Sequence, residues 1–185
     1  MNEIINKRLA LEHHRRSCAF IWQVLLIALW LTFANIAHAD VLIGKVIGVS
    51  DGDTITVLDS NKQSHTVRLV GIDAPEKSQA FGQAAKKSLS DLVFGKQVEV
   101  LWEKRDRYQR MLGKVMLHGQ DICLEQIKRG MAWHYKQYQR DQSPQDRADY
   151  ASAEQSARQD KTGLWADAAP MEPAEFRRGD RTKDR

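Results

Sequence analysis

From residue 41 onward the apolar positions first recur at strand spacing and later at helical spacing. Residues 41–49 form a β-branched run cut by Gly44 and Gly48, residues 54–58 a second, and residues 65–70 a third. Asp51-Gly52 and Asp59-Ser60-Asn61-Lys62 lie between them. Strand-forming runs separated by turn clusters predict a β-meander, with a hairpin at Asp51-Gly52. Pro75 ends the third stretch, because it lacks a backbone donor and disfavours the helical region for Ala74. Residues 81–94 then predict a helix, with Phe81, Ala84, Ala85, Leu89, Leu92 and Val93 on one face and Gly95 after it. Residues 97–102 alternate as a strand, with Val98, Val100 and Trp102 on one side. Residues 111–117 form the next strand, and His118-Gly119 its turn. Asp121 caps a helix that runs to Arg129 and stops at Gly130. Ser143 as N-cap, Pro144 in the first turn and Asp146 at the capping-box position open a last helix, rich in alanine and ending near Gly163-Leu164-Trp165.

The order is three strands, a helix, two strands and two helices. It predicts an α+β fold, mainly β: an OB-fold five-stranded barrel with about three packed helices. A half-exposed open sheet is the alternative, and closure is favoured because it leaves few unprotected edges.

The flanks read differently. Within residues 1–39, Lys7, Arg8, Arg15 and Arg16 precede an apolar stretch over residues 19–33, and Ala37-His38-Ala39 closes it. This is the basic, apolar and cleavage pattern of a secretory signal. An uncleaved N-terminal anchor is the alternative, and Arg15-Arg16 also invites a twin-arginine reading. Export to the periplasm or medium is therefore expected, with a membrane-anchored form if the leader stays in place. Residues 40–167 are expected to form one domain, and residues 168–185, with Pro170, Pro173 and five basic residues, a disordered basic tail.

Composition narrows little. The leader takes four of the 28 Lys+Arg and two of the 24 Asp+Glu, leaving 24 against 22 and a net charge of only +2. Total charge does not by itself argue for a nucleic-acid partner. Cys123 is the lone cysteine beyond the leader, so neither an internal disulfide nor a thiolate zinc site is available there. It reads as a buried, inert thiol.

The candidate chemistry lies in scattered charges. Asp53 follows Asp51-Gly52, Arg68 precedes Asp73-Ala74-Pro75-Glu76, and Arg110 closes Asp106-Arg107-Tyr108-Gln109-Arg110. Each alone has a plain reading: a hairpin turn, an Asx turn, a helix-starting acid, a surface ion pair. Together they supply two carboxylates for a hard cation, a third to orient or deprotonate water, and two guanidinium forks that match a phosphate. Lys86, Lys87, Lys104, Arg105 and Arg107 could line a phosphate track or simply face solvent. Tyr135 and Tyr138 could stack on bases or pack on the surface.

The blocks Asp51-Gly52-Asp53-Thr54, Arg68 to Glu76, Asp106 to Arg110 and Gly163-Leu164-Trp165 resemble the staphylococcal nuclease (thermonuclease) family from about Val41 to Trp165. The resemblance implies an OB-type barrel and calcium-dependent hydrolysis of DNA and RNA with little sequence or sugar specificity. It implies that Asp53, Asp73 and the backbone carbonyl of Ala74 bind Ca2+. Threonine is common in the family where Ala74 stands. It further implies that Arg68 and Arg110 contact the phosphate, that Glu76 acts on the attacking water, and that Tyr108 lies near the bound nucleotide. A monomer without an obligate protein partner is expected. A non-catalytic OB module binding single strands is the competing function, although none of Asp53, Arg68, Asp73, Glu76 or Arg110 is missing.

Overall fold

A computed structural model describes residues 40–183. The expected leader lies outside the described residues. Strands β1 (Asp40–Val49), β2 (Thr54–Asp59) and β3 (Ser64–Leu69) form the antiparallel meander. Strands β5 (Gln97–Arg105) and β6 (Met111–Leu117) form a second antiparallel pair, and β5 also pairs with β1. The ring closes where β3 lies parallel to β6, with Val67 beside Met111, Arg68 beside Leu112 and Leu69 beside Gly113. The result is the expected closed five-stranded barrel, and its edges are consumed by pairing.

Alternation explains the strands. In β6, Met111, Gly113, Val115 and Leu117 point into the barrel, and the residues between them lie partly outside. In β5, Val98 and Val100 are buried, but a bulge between Trp102 and Lys104 disturbs the alternation and leaves Trp102 half-buried. Val46, Ile55, Val57 and Val67 complete the core, and Leu89 and Val93 of α1 cover it.

Helix α1 (Gly82–Val93) lies within the predicted span. Asp121 caps α2 (Ile122–Lys128) by accepting from the backbone N–H of Leu124. Ser143 caps α3 (Pro144–Gln159) by accepting from that of Asp146. Helix α3 stops at Gln159, and residues 163–166 form a separate 3-10 turn whose Leu164 and Trp165 pack with Trp133. Three short elements escape the sequence pattern: β4 (Ile72–Asp73), β7 (Gln120–Asp121) and β8 (Trp133–His134). Strand β7 pairs with β6, and β4 pairs with β8.

The expected hairpin forms: residues 50–53 join antiparallel β1 and β2 in a bend closed by the Ser50 N–H donating to the Thr54 carbonyl, with Gly52 buried inside it. A Cβ on Gly52 would stand 2.6 Å from the Ala74 Cβ and 2.7 Å from the Ala85 Cβ, so glycine is required by close approach. The tail, expected to be disordered, carries helix α4 (Pro173–Lys183). Pro173 opens that helix, Glu175 stands in its first turn, and Phe176 supplies an apolar contact that its charged composition obscures.

Gln126 of α2 ties these layers together. Its side-chain amide is fully buried, donates to the carbonyls of Gly52 and Ala85, and accepts from Ser88 Oγ. Gly52→Ala should force the bend away from α1 and lower stability by about 2 kcal/mol, the usual scale of core overpacking. Urea denaturation checks this, and an unchanged midpoint would contradict the packing argument.

Candidate active site

The site gathers at one end of the barrel around a single guanidinium. Arg68 sits near the end of β3, and its Nη1 donates to the carbonyls of Leu69 and Ile72, both at 2.9 Å. Its Nη2 lies 3.0 Å from Asp53 Oδ2 and 3.0 Å from Asp73 Oδ1. Two carboxylate oxygens meeting one nitrogen can be no farther apart than twice that distance. Asp53 comes from the bend before β2, and Asp73 from β4. Strand β8 holds β4 in place, pairing Trp133 with Asp73 and His134 with Ile72. Helix α3 holds β8 in turn, because Glu154 accepts from the backbone N–H of His134.

Asp53 and Asp73 are both buried, and Asp53 carries an electrostatic burden. Burial pushes its pKa up to about 7; Asp51 and Asp73 push the same way, while Arg68 and the Ala74 N–H oppose them. The ion pair with Arg68 is therefore too little to offset desolvation. The Ala74 N–H donates to Asp53 Oδ2 at 2.8 Å, and Thr54 Oγ1 donates to Oδ1 at 3.1 Å. Among the described residues no group of three or more His, Cys, Asp and Glu side chains could hold a metal. The donor set is instead a pair of carboxylates facing each other. It fits a hard cation that takes its remaining ligands from carbonyls, water and substrate oxygen, and such a cation would relieve the like charge.

Glu76 enters from the turn that leads into α1. Its N–H is held by Gln79 Oε1 at 3.1 Å, and its carbonyl accepts from the Gln79 N–H at 2.9 Å. A Cβ on Gly82 would come within 1.9 Å of the Glu76 carbonyl oxygen, so the start of α1 packs directly on this turn. Glu76 and Asp73 are joined by a residue that the sequence pattern did not single out. Arg177 of α4 donates from Nη1 to Glu76 Oε1 at 2.6 Å and to Asp73 Oδ1 at 3.2 Å, and from Nη2 to Asp73 Oδ2 at 2.9 Å. The available cue was Phe176, a lone aromatic beside an arginine pair in a charged tail.

Arg110 stands apart from these carboxylates. It closes the β5–β6 turn, where its Nε and Nη2 both lie 2.7 Å from Asp106 Oδ2. Asp106 Oδ1 accepts from the backbone N–H groups of Tyr108 and Arg110. Burial works against the Asp106 carboxylate, but hydrogen bonds from the Arg110 side chain and backbone and from Tyr108 hold its pKa below the usual range. The β3–β6 register puts Leu112 beside Arg68, so Arg110 is one same-face step away, about 7 Å along the strand. Tyr108 is 63% exposed, with the Arg107 and Arg110 guanidiniums 4.8 Å and 5.5 Å from its ring centre. Lys104, a candidate for a phosphate track, instead pairs with Asp141. Tyr135 and Tyr138 pack on each other, their rings tilted by 58° with centres 4.9 Å apart. Cys123 is buried, and burial raises its pKa well above the ordinary thiol range, as an inert thiol requires.

Residues 66–167 match the family described as staphylococcal nuclease homologue. The chain belongs to the staphylococcal nuclease family. It is similar to an uncharacterised endonuclease of Haemophilus influenzae, 50% identical over 134 residues that cover 72% of each chain. A micrococcal nuclease of Shigella flexneri is 41% identical over 144 residues, 73% of this chain and 80% of the relative. Protein ParB of Escherichia coli is 39% identical over 173 residues, 89% of this chain and 94% of the relative. Membership of the staphylococcal nuclease family makes this a nucleic-acid hydrolase on an OB barrel, and the non-catalytic module gives way to it.

Two outcomes follow from the electrostatics. The folded-state pKa of Asp53 is raised to about 7 from 3.8, so between those values the native state holds a proton that the unfolded state has lost. In chelator, stability should therefore fall as pH rises from about 4 to 7, by on the order of 3 kcal/mol from this group. Asp53→Asn should flatten that slope in urea melts at several pH values, and a parallel slope would contradict the burial argument. Separately, Asp106→Asn should loosen the β5–β6 turn and free Arg110. The expected result is a thermal midpoint lower by a few degrees, and an unchanged one would show that the pair adds nothing.

Proposed function

We propose that the protein is a calcium-dependent endonuclease that hydrolyses DNA and RNA with little sequence or sugar specificity, acting as an exported monomer. The observation that carries this is the convergence of Asp53 and Asp73 on one nitrogen of Arg68, with Glu76 bridged to Asp73 beside them. Nothing in that cluster reads a base edge, and its donors and acceptors suit a phosphodiester, which every nucleic acid shares.

Asp53 and Asp73 would hold the cation, with the Ala74 carbonyl as a further oxygen ligand. When bound, calcium would neutralise phosphate charge and polarise the phosphoryl group. The chain's own residues do the rest. Arg68 is anchored by two main-chain carbonyls through Nη1, so its other nitrogen is preorganised where charge develops. Arg110 offers a second fork once phosphate replaces Asp106 as its partner. Glu76 accepts a hydrogen bond from water and takes its proton as the oxygen attacks phosphorus. Tyr108, exposed at the rim, supplies a face for the nucleotide next to the cleaved bond.

Digestion of plasmid and single-stranded DNA, with calcium and with chelator, tests the reading. Cleavage with calcium and loss in chelator are expected, with magnesium a poor substitute because of its stricter octahedral geometry. Full activity in chelator would overturn the metal assignment. Glu76→Gln should lower turnover by about 100-fold or more, with a smaller effect on binding of uncut DNA. Arg68→Lys keeps the charge but loses the fork, and should slow cleavage at saturating DNA by about 100-fold. Near-normal turnover in both variants would refute the assigned roles.

A further inference from the structure

Helix α4 is not needed to complete the barrel, yet it sends a guanidinium into the catalytic carboxylates. The Arg177 fork covers both oxygens of Asp73 and one oxygen of Glu76. Asp73 Oδ1 also receives Arg68. A cation bound at Asp73 needs an oxygen facing it, and a water in front of Glu76 needs the carboxylate that Arg177 engages. Guanidinium and cation thus compete for the same oxygens, and their like charges cannot share the space.

Other contacts attach α4 and the segment before it. Phe176 lines an apolar cleft with Pro75, Phe81, Trp133 and Leu164. Gln79 donates from its side chain to the Met171 carbonyl at 2.7 Å, and the same Gln79 holds the Glu76 turn. Most of the helix's other described side chains are exposed or only partly covered. Buried Pro173, the Phe176 contact and the ion-pair cluster are among its attachments, and the last is what a bound cation would remove.

We propose that α4 is an autoinhibitory strap: Arg177 occupies the metal-binding and water-activating carboxylates and is displaced when calcium binds. This rests on the reading of Asp53 and Asp73 as the calcium ligands. Displacement couples the two events, so the apparent calcium affinity is the intrinsic one reduced by the fraction of molecules with the strap open. A strap closed nine-tenths of the time weakens calcium binding by about tenfold.

The test is calorimetric titration of calcium into the full chain, its Arg177→Ala variant and its Phe176→Ala variant. Phe176→Ala loosens the anchor without touching a carboxylate or altering charge. Both variants should bind calcium more tightly than the parent, Arg177→Ala by about tenfold. In the parent, calcium should speed amide hydrogen exchange over residues 173–179. Equal calcium affinity in parent and Arg177→Ala overturns the strap and leaves the metal site standing. Tightening in Arg177→Ala but not in Phe176→Ala also overturns it, because simple removal of a positive charge then accounts for the gain. Slower exchange of α4 with calcium overturns it as well. If none of the three chains binds calcium, the strap and the metal reading fail together.

Discussion

Two like-charged carboxylates, Asp53 and Asp73, are buried side by side, and the end of the barrel is organised around making that tolerable. Burying a charge is costly unless it is paired and hydrogen-bonded. Arg68 answers part of that cost by touching both, and the Ala74 N–H and Thr54 hydroxyl answer more for Asp53. The remaining deficit appears as the raised Asp53 pKa. A site left short of positive charge draws cations, and here the same shortage is met from within by Arg177. The same shortage explains why an arginine from α4 comes to rest there.

Rigidity comes from uncharged groups behind the carboxylates. Gln126 hydrogen-bonds the Gly52 carbonyl and reaches across to α1, so the bend carrying Asp53 is fixed from the core side. Gly71 has a φ of 76°, and its carbonyl accepts from the Tyr135 N–H, which keeps β4 against β8 and Asp73 in register. These contacts lie behind the carboxylates and let Asp53 and Asp73, from separate segments, keep a fixed spacing.

Legibility in the sequence followed the range of the signal. Strands with strict alternation, such as β6, and helices with side-chain caps, such as α2 and α3, were readable because local pattern and tertiary structure agree. Asp53, Arg68, Asp73 and Glu76 stood out as a set of types at suggestive spacing, and the structure gathers these four, whereas it holds Arg110 on Asp106. Strands β4 and β8 were not readable, since two-residue elements carry no period and exist only through pairing. Gly52 was legible as a turn glycine, but its close packing on Ala74 and Ala85 leaves no mark in one dimension. Asp106 was visible within its motif, but its grip on Arg110 depends on turn geometry. Arg177 lies 104 residues from Asp73, in a segment whose composition resembles a solvated tail.

The parallel seam between β3 and β6 has a consequence for how the enzyme comes into being. Arg68 and Arg110 lie on opposite sides of this seam, and the chain between them includes α1 and all of β5. Parallel pairing across such a separation forms late, since the entropy of closing the intervening chain must be overcome before the contact rewards it. A nascent chain with its meander already formed has Asp53 and Arg68 together, but no second guanidinium near them. The β4–β8 pair joins residues still farther apart, so by the same argument the meander holds Asp53 and Arg68 together before Asp73 is locked in register, and the whole cluster is a late product of folding.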